Sequence, residues 1–252
     1  MKNENAECRN THADKAENYD LGRPEYPKAF FEYIYGEFGL AKNAVIADIG
    51  AGSGKITQGF LSRGSRVFAV EPDEGMRHIL QSRLGAYPDC TILESSAEDT
   101  GIRAGSVDLI FCGNSYYWFD RTKTVPEFKR ILKTSNGANI ALVWLGGASR
   151  ESETLHEALR HLNKAHSEKH NESPPFREGA FALKEFEFTL YQDWETLRNG
   201  MLSTSFSPKP GEDSFKEYCK IIKNHFEKYS ANEKIATAFK LTCMLGNMND
   251  LN

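Results

Sequence analysis

Residues 45–57 read VIADIGAGSGKIT, a short β-branched run followed at once by an acidic residue and three glycines. Loops of this kind are told apart by spacing. A phosphate-cradling P-loop needs Gly, four residues and then Gly-Lys-Ser/Thr, but three residues separate Gly50 from Gly54, and Ile56 follows Lys55. A dinucleotide loop needs G-x-G-x-x-G, and counting from Gly50 and Gly52 puts Lys55 where the third glycine belongs. What remains is D-x-G-x-G-x-G, with Asp48 two places before Gly50. Glycines there clear side chains from the mouth of a sheet, so that backbone N–H groups and a helix N-terminus face a polar ligand. A carboxylate at that point repels pyrophosphate and attracts a cationic or hydroxyl-bearing group.

Outward from this stretch, short apolar runs alternate with segments of helical period. AVIADIG, RVFAVEP, CTILESS, VDLIFCGN and ANIALVWL read as five strands. KITQGFLSRG and MRHILQSRLG read as helices stopped by Gly64 and Gly85, and VPEFKRILK as another with Pro126 in its first turn. After Gly146-Gly147 comes a polar, helix-prone stretch ended by SPPF; then FALKEFEFTLYQ alternates like a strand, DWETLRNGMLS and FKEYCKIIKNHFEKY read as helices, and ATAFKLTCML as the last strand. The fold class expected is α/β: a doubly wound, Rossmann-like, mostly parallel sheet of seven strands. An antiparallel C-terminal pair forms its edge. The chain reads as a single domain: an N-terminal lid and first helix over 1–40, a ligand-binding core over 41–147, a helical insertion over 148–180, and 181–252 completing the sheet.

Bulk composition narrows the function. Lys plus Arg is 31 against Asp plus Glu at 35 in 252 residues, a net charge of −4, so no broad positive field is present to hold nucleic acid or anionic lipid. The five cysteines are scattered, without a C-x-x-C pair, which argues against a disulfide framework and a structural zinc site. With no apolar leader-like or membrane-length run, a cytoplasmic protein is expected, as a monomer or homodimer.

A second acidic residue, Glu71, closes the second strand, 17 residues after Gly54. A carboxylate there is placed to accept hydrogen bonds from both hydroxyls of a ribose. Together with SSAEDTGIRAGSVDLIFCGNSYYWFD and YDLGRPEYP, these features resemble the class I S-adenosylmethionine-dependent methyltransferases, and within them the small-molecule branch that includes trans-aconitate methyltransferase-like enzymes. The resemblance implies S-adenosyl-L-methionine as cofactor. It assigns Asp48, Gly50, Ala51 and Gly52 to the methionine part, Glu71 to the ribose, Pro72 to a face of the adenine, Ser96, Ala97 and Glu98 to its edge, and Asn114 to a place beside the methionine. Ser96 stands where many relatives carry aspartate, and Tyr117 where relatives of this branch often carry histidine.

The expected activity is methyl transfer to a small-molecule acceptor through an O, N, S or C nucleophile, with no metal and no nucleic-acid partner. NSYY lacks the Asn/Asp-Pro-Pro-aromatic motif of amino-methylating enzymes, and no Pro-Cys pair is present. Tyr19, Tyr26 or Tyr117 would assist an acceptor that must lose a proton. Arg23 would pair an anionic acceptor, or else hold the N-terminal segment in place. The alternative is a non-catalytic cofactor-binding or regulatory module. HSEKH, His166 to His170, lacks the H-E-x-x-H order of zinc proteases. The stripe Phe215, Tyr218, Cys219, Ile222 and Phe226 reads as core packing, as does half of the aromatic set 116–119.

Overall fold

The computed structural model describes residues 15–134, 139–162, 174–204 and 206–252. Its elements are α1 (Lys15–Gly22), α2 (Lys28–Phe38), β1 (Val45–Ile49), α3 (Lys55–Leu61), β2 (Arg66–Val70), α4 (Glu74–Leu84), β3 (Cys90–Leu93) and β4 (Leu109–Gly113). There follow α5 (Arg121–Ile131), β5 (Ile140–Gly147), α6 (Arg150–Leu159), β6 (Phe181–Gln192), α7 (Trp194–Leu202), α8 (Phe215–Tyr229) and β7 (Ile235–Gly246). The strands form one seven-stranded sheet in the order β3-β2-β1-β4-β5-β7-β6.

The first five strands are parallel: Ala47 of β1 faces Phe68 of β2 on one side and Ile110 of β4 on the other. β7 runs against β5, because the Asn139 N–H donates to Gly246 and the Ala148 N–H to Ala238, partners that fall along β7 as they rise along β5. β6 then lies at the edge beside β7. Since β1 sits between β2 and β4, the chain order reverses between β1 and β4. In open α/β sheets the crevice at such a switch point, beyond the carboxyl ends of the strands, takes the ligand.

Two compact units divide the chain. One comprises Glu25–Leu145, Lys169–Phe186 and Leu241–Asn252; the other Met1–Pro24, Gly146–Glu168 and Glu187–Lys240. The sheet unit packs Ala47, Ile49, Ile110, Phe128 and Ile140, all fully buried, with Phe176 and Met248 against them. These strands are buried on both faces, which is why they read as continuous apolar runs.

In the helical unit, Leu155, Leu197, Met201, Tyr218, Ile222 and Phe226 form a separate cluster. The α8 stripe is therefore core, as its spacing suggests, and each fully buried aliphatic there contributes roughly 1.5–3 kcal/mol. α1 meets α7 so closely that a Cβ on Gly22 would lie 1.9 Å from the Gly200 nitrogen.

The described residues among the first 40 hold two helices, α1 and α2. The structure corrects one local expectation. Pro126 lies inside α5 rather than in its first turn, because Asp120 caps the helix earlier, accepting from the Thr122 N–H at 3.1 Å. Gly64 does end α3 in the left-handed conformation, at φ 85°. Gly85 follows α4 in an ordinary right-handed one. Of the polar stretch after Gly147, α6 is helical, while His166 and His170 lie outside the described residues.

Candidate active site

The turn after β1 is built from three positive-φ glycines, Gly50 at 76°, Gly52 at 57° and Gly54 at 84°. The N–H groups of Gly50 and Ala51 both donate to the Val70 carbonyl, which pins the turn to the end of β2. A Cβ on Gly50 would fall 2.6 Å from the Ser115 Cβ. Ser115 in turn donates to the Ile49 carbonyl at 2.7 Å, so the loops after β1 and β4 are tied across the switch point. Gly54 serves helix packing instead, since a Cβ there would meet Leu80 of α4 at 2.5 Å. The close approach that a dinucleotide loop assigns to its third glycine is made here by Gly54, one place earlier than Lys55.

Two buried carboxylates flank the turn. Glu71 accepts the Gly52 N–H at 2.8 Å on one oxygen and the Asp73 N–H at 2.9 Å on the other. Burial raises its pKa, and these two backbone donors act against the rise. Arg77 donates to the carbonyls of Glu71 and Pro72 and pairs with Glu94 at 2.7 Å, fixing the path of the chain after β2. Asp48 is 2% exposed and accepts the Thr57 hydroxyl at 2.6 Å. Its pKa is pushed up to about 7, first by burial and further by the charge of Glu71, with the Thr57 bond opposing. Asp48 is therefore a proton-bearing group near neutrality, where the sequence suggested a plain anionic strand end. Within the turn itself, the Ser53 hydroxyl oxygen is buried with no hydrogen-bond partner among the described residues.

At the end of β4, Asn114 adopts φ 53°. Its N–H donates to Val143 and its side-chain carbonyl accepts from the Leu145 N–H at 3.0 Å, so the residue locks the loop to β5. Ser115 through Phe119 then divide as the aromatic pattern suggests: Tyr116 is buried and Phe119 packs on the same core, whereas Trp118 is exposed and tilts against Tyr117. Beyond β3, Ser96 accepts from the Glu98 N–H, Ala97 is buried in the core, and Glu98 accepts the Asp120 N–H at 3.0 Å. Ala97 and Glu98 thus already serve the fold. Pro72 is exposed.

In the sequence, Lys55 served only to reject one loop type. In the structure it begins α3 and pairs with Glu25 at 2.8 Å. Next to Glu25, the Tyr26 ring packs on Phe30, and its hydroxyl lies 3.4 Å from where a Cβ on Gly113 would stand, at the carboxyl end of β4. Tyr26 is thus the candidate tyrosine whose hydroxyl stands at the end of that strand. Tyr19 and Arg23 belong to the helical unit, where the Arg23 Nε donates to the Ser203 hydroxyl at 3.2 Å and its guanidinium stands over the Tyr19 ring. These contacts suit the segment-holding reading of Arg23 and leave its pairing with an acceptor a proposal. Ser115, Thr57 and the Glu25–Lys55 pair carried no signal beyond lying in or beside the motifs.

Comparison with known proteins agrees with this geometry. Residues 47–138 match the family described as Methyltransferase domain. An uncharacterized methyltransferase of Schizosaccharomyces pombe is 32% identical over 128 residues, 50% of this chain and 49% of its own length. One of Mycobacterium tuberculosis is 32% identical over 126 residues, 50% of this chain and 48% of its own length. The chain thus spans about half the length of the curated relatives it matches. Among solved structures, one from Anaeromyxobacter dehalogenans, assigned to the type II methyltransferases, superposes with a TM-score of 0.66 at 19% identity, covering 90% of this chain and 98% of that one. Among the described residues no helix is long and apolar enough to cross a membrane. With the D-x-G-x-G-x-G turn, the strand-end glutamate and the reversal of strand order in one sheet, residues 47–138 are similar to the Methyltransferase domain family, and the fold is similar to that of a solved methyltransferase.

Proposed function

We propose that the protein transfers a methyl group from S-adenosylmethionine to a small-molecule acceptor. The observation that carries the cofactor reading is the Glu71 carboxylate, held at the end of β2 by the Gly52 and Asp73 N–H groups. Each oxygen takes one backbone donor and keeps acceptor capacity for a hydroxyl, which suits a ribose diol. The glycine turn, where a Cβ on Gly50 would collide with Ser115, and the unpartnered Ser53 hydroxyl fit a polar ligand lying on the backbone. Gly50, Ala51 and Gly52 would hold the methionine part, with Asp48 behind them and Asn114 across the switch point. Pro72 and the Ser96–Glu98 turn would border the adenine.

When bound, the cofactor supplies an electrophilic methyl group, so the protein's own work is alignment and exclusion of water. The Ser115 bond to Ile49 and the Asn114 bond to Leu145 keep the two loops at the switch point rigid during that work. Tyr26, with its hydroxyl at the end of β4, is the group we place nearest an acceptor that must lose a proton. Tyr117, Tyr19 and Arg23 remain proposals for contact with the acceptor.

A small acceptor is supported by the net charge of −4 and by the aromatic set beside one strand end. A ribosomal RNA small subunit methyltransferase A of Thermotoga neapolitana is 45% identical, but over 56 residues, 22% of each chain. The cofactor reading is tested by thermal shift: S-adenosylmethionine or S-adenosylhomocysteine raises Tm, whereas NAD and ATP do not. A shift with NAD alone defeats it. The acceptor reading is tested by labelled methyl transfer to a metabolite pool beside RNA, DNA and protein, followed by mass spectrometry. Label confined to small molecules supports it, and label in a macromolecule refutes it.

A further inference from the structure

Lys55 is the first residue of α3, immediately after the glycine turn, and its side chain is only 11% exposed. A cation there is doubly unfavourable. The N-terminus of a helix already carries partial positive charge, and a largely desolvated ammonium needs a partner. The partner is Glu25, 30 residues earlier, whose carboxylate stands 2.8 Å from the ammonium with its own side chain 68% exposed. Glu25 is also the first residue of the sheet unit, directly after Pro24. The pair therefore does two things: it fastens the incoming chain beside Tyr26, and it cancels a positive charge next to the turn.

We infer that the Glu25–Lys55 ion pair sets the charge at the glycine turn, and through it the relative affinity of the site for the charged cofactor and its neutral product. This rests on reading the site as an S-adenosylmethionine pocket. S-adenosylmethionine carries a sulfonium cation, and S-adenosylhomocysteine a neutral thioether in its place. The ammonium, carboxylate and adenosine of the two are the same. An uncompensated Lys55 therefore acts alike on every shared group and repels only the sulfonium. With Glu25 in place, the cofactor is not handicapped against the product it must displace for the next turnover.

The test is calorimetric titration of S-adenosylmethionine and S-adenosylhomocysteine into the wild type, Glu25→Gln, Lys55→Met and the double variant at low salt. Glu25→Gln is expected to raise the ratio of the cofactor's Kd to the product's by about five-fold, and this change fades as added salt screens the charge. Lys55→Met moves the ratio the other way, and the double variant returns it to within about two-fold of wild type, since both charges are then gone. Glu25→Asp, which keeps the charge, holds the wild-type ratio. An equal weakening of both ligands in Glu25→Gln, or an unchanged ratio, makes the pair a structural fastening and overturns the inference while the cofactor reading stands. Failure of the wild type to bind either ligand overturns the cofactor reading itself.

Discussion

The sheet unit and the helical unit bury different things. Around the carboxyl ends of β1 and β2 the sheet unit hides Asp48, Ser53, Thr57 and Glu71, polar side chains that a core built only for stability replaces with apolar ones. The helical unit buries an apolar cluster on α6, α7 and α8, and the polar groups buried with it close on local carbonyls: Ser207 on Leu202, Thr204 on Met201, Tyr218 on Met201. Every buried polar group has an energetic cost; on α7 and α8 short-range bonds offset it, while the Gln192 Oε1 at the end of β6 is buried without a hydrogen bond. In the sheet unit the Ser53 hydroxyl oxygen in the turn is buried without a hydrogen bond, as are those of Tyr116 and Thr124, and Asp48 is pushed toward neutrality. Ser53 and Asp48 lie together beside the switch point, where such a cost fits a ligand site, whereas among the described residues the α8 stripe carries none and reads as packing.

The sharpest attempt to break this contrast compares two glycines that both lack room for a methyl group. Gly22→Ala forces a Cβ against the Gly200 backbone, and Gly50→Ala forces one against Ser115 at a positive φ. Each is expected to lose about 3 kcal/mol or more of stability by denaturant unfolding. Only Gly50→Ala should also abolish the thermal shift given by S-adenosylhomocysteine. Equal loss of that shift in Gly22→Ala would erase the distinction between the units.

Next in size is Glu71→Ala, expected to weaken S-adenosylhomocysteine binding by about 100-fold in calorimetry, through loss of an acceptor of charge-assisted hydrogen bonds. Binding within a few-fold of wild type would leave Glu71 as a brace for Gly52 and nothing more.

Asp48 tests the buried-charge half of the comparison. Its folded pKa of about 7 lies above the ordinary value of 3.8. The folded state thus holds the proton more tightly, and the contribution of Asp48 to stability is fully present below about pH 4 and lost as pH rises through 7. Asp48→Asn keeps an acceptor for Thr57 without the charge. It should match wild-type stability most closely near pH 5 and exceed it at pH 8 by about 2 kcal/mol, while binding cofactor less tightly. Stability curves of the two proteins that run parallel from pH 5 to 8 would rule this out.

The smallest effect is expected from Ser115→Ala. Losing the bond to Ile49 costs about 1 kcal/mol, with cofactor affinity reduced only a few-fold. A loss as large as that of Glu71→Ala would give Ser115 a direct part in binding.

Most of the fold was legible because both its periods are local. The strands over 45–49 and 66–70 show as unbroken apolar runs, and α8 shows as a one-sided stripe. Pro126 misled because a proline's tolerance depends on where the cap sits, and Asp120 placed that cap five residues earlier than the apolar pattern implied. That Asp48, Gly50, Gly52 and Glu71 meet around one turn was legible because their spacing along strand and turn encodes their meeting place.

The sequence by itself determined the order of strands and helices, the D-x-G-x-G-x-G turn and the acidic end of β2, since backbone conformation and side-chain period are properties of neighbouring residues. Tertiary structure alone decided that Gly54 packs on Leu80, that Ser115 closes on Ile49, that Lys55 meets Glu25, and that Asp48 is buried deeply enough to hold a proton near pH 7. Those depend on groups far apart in the chain, and both a pKa and a steric limit are set by whatever the fold brings to within a few ångströms.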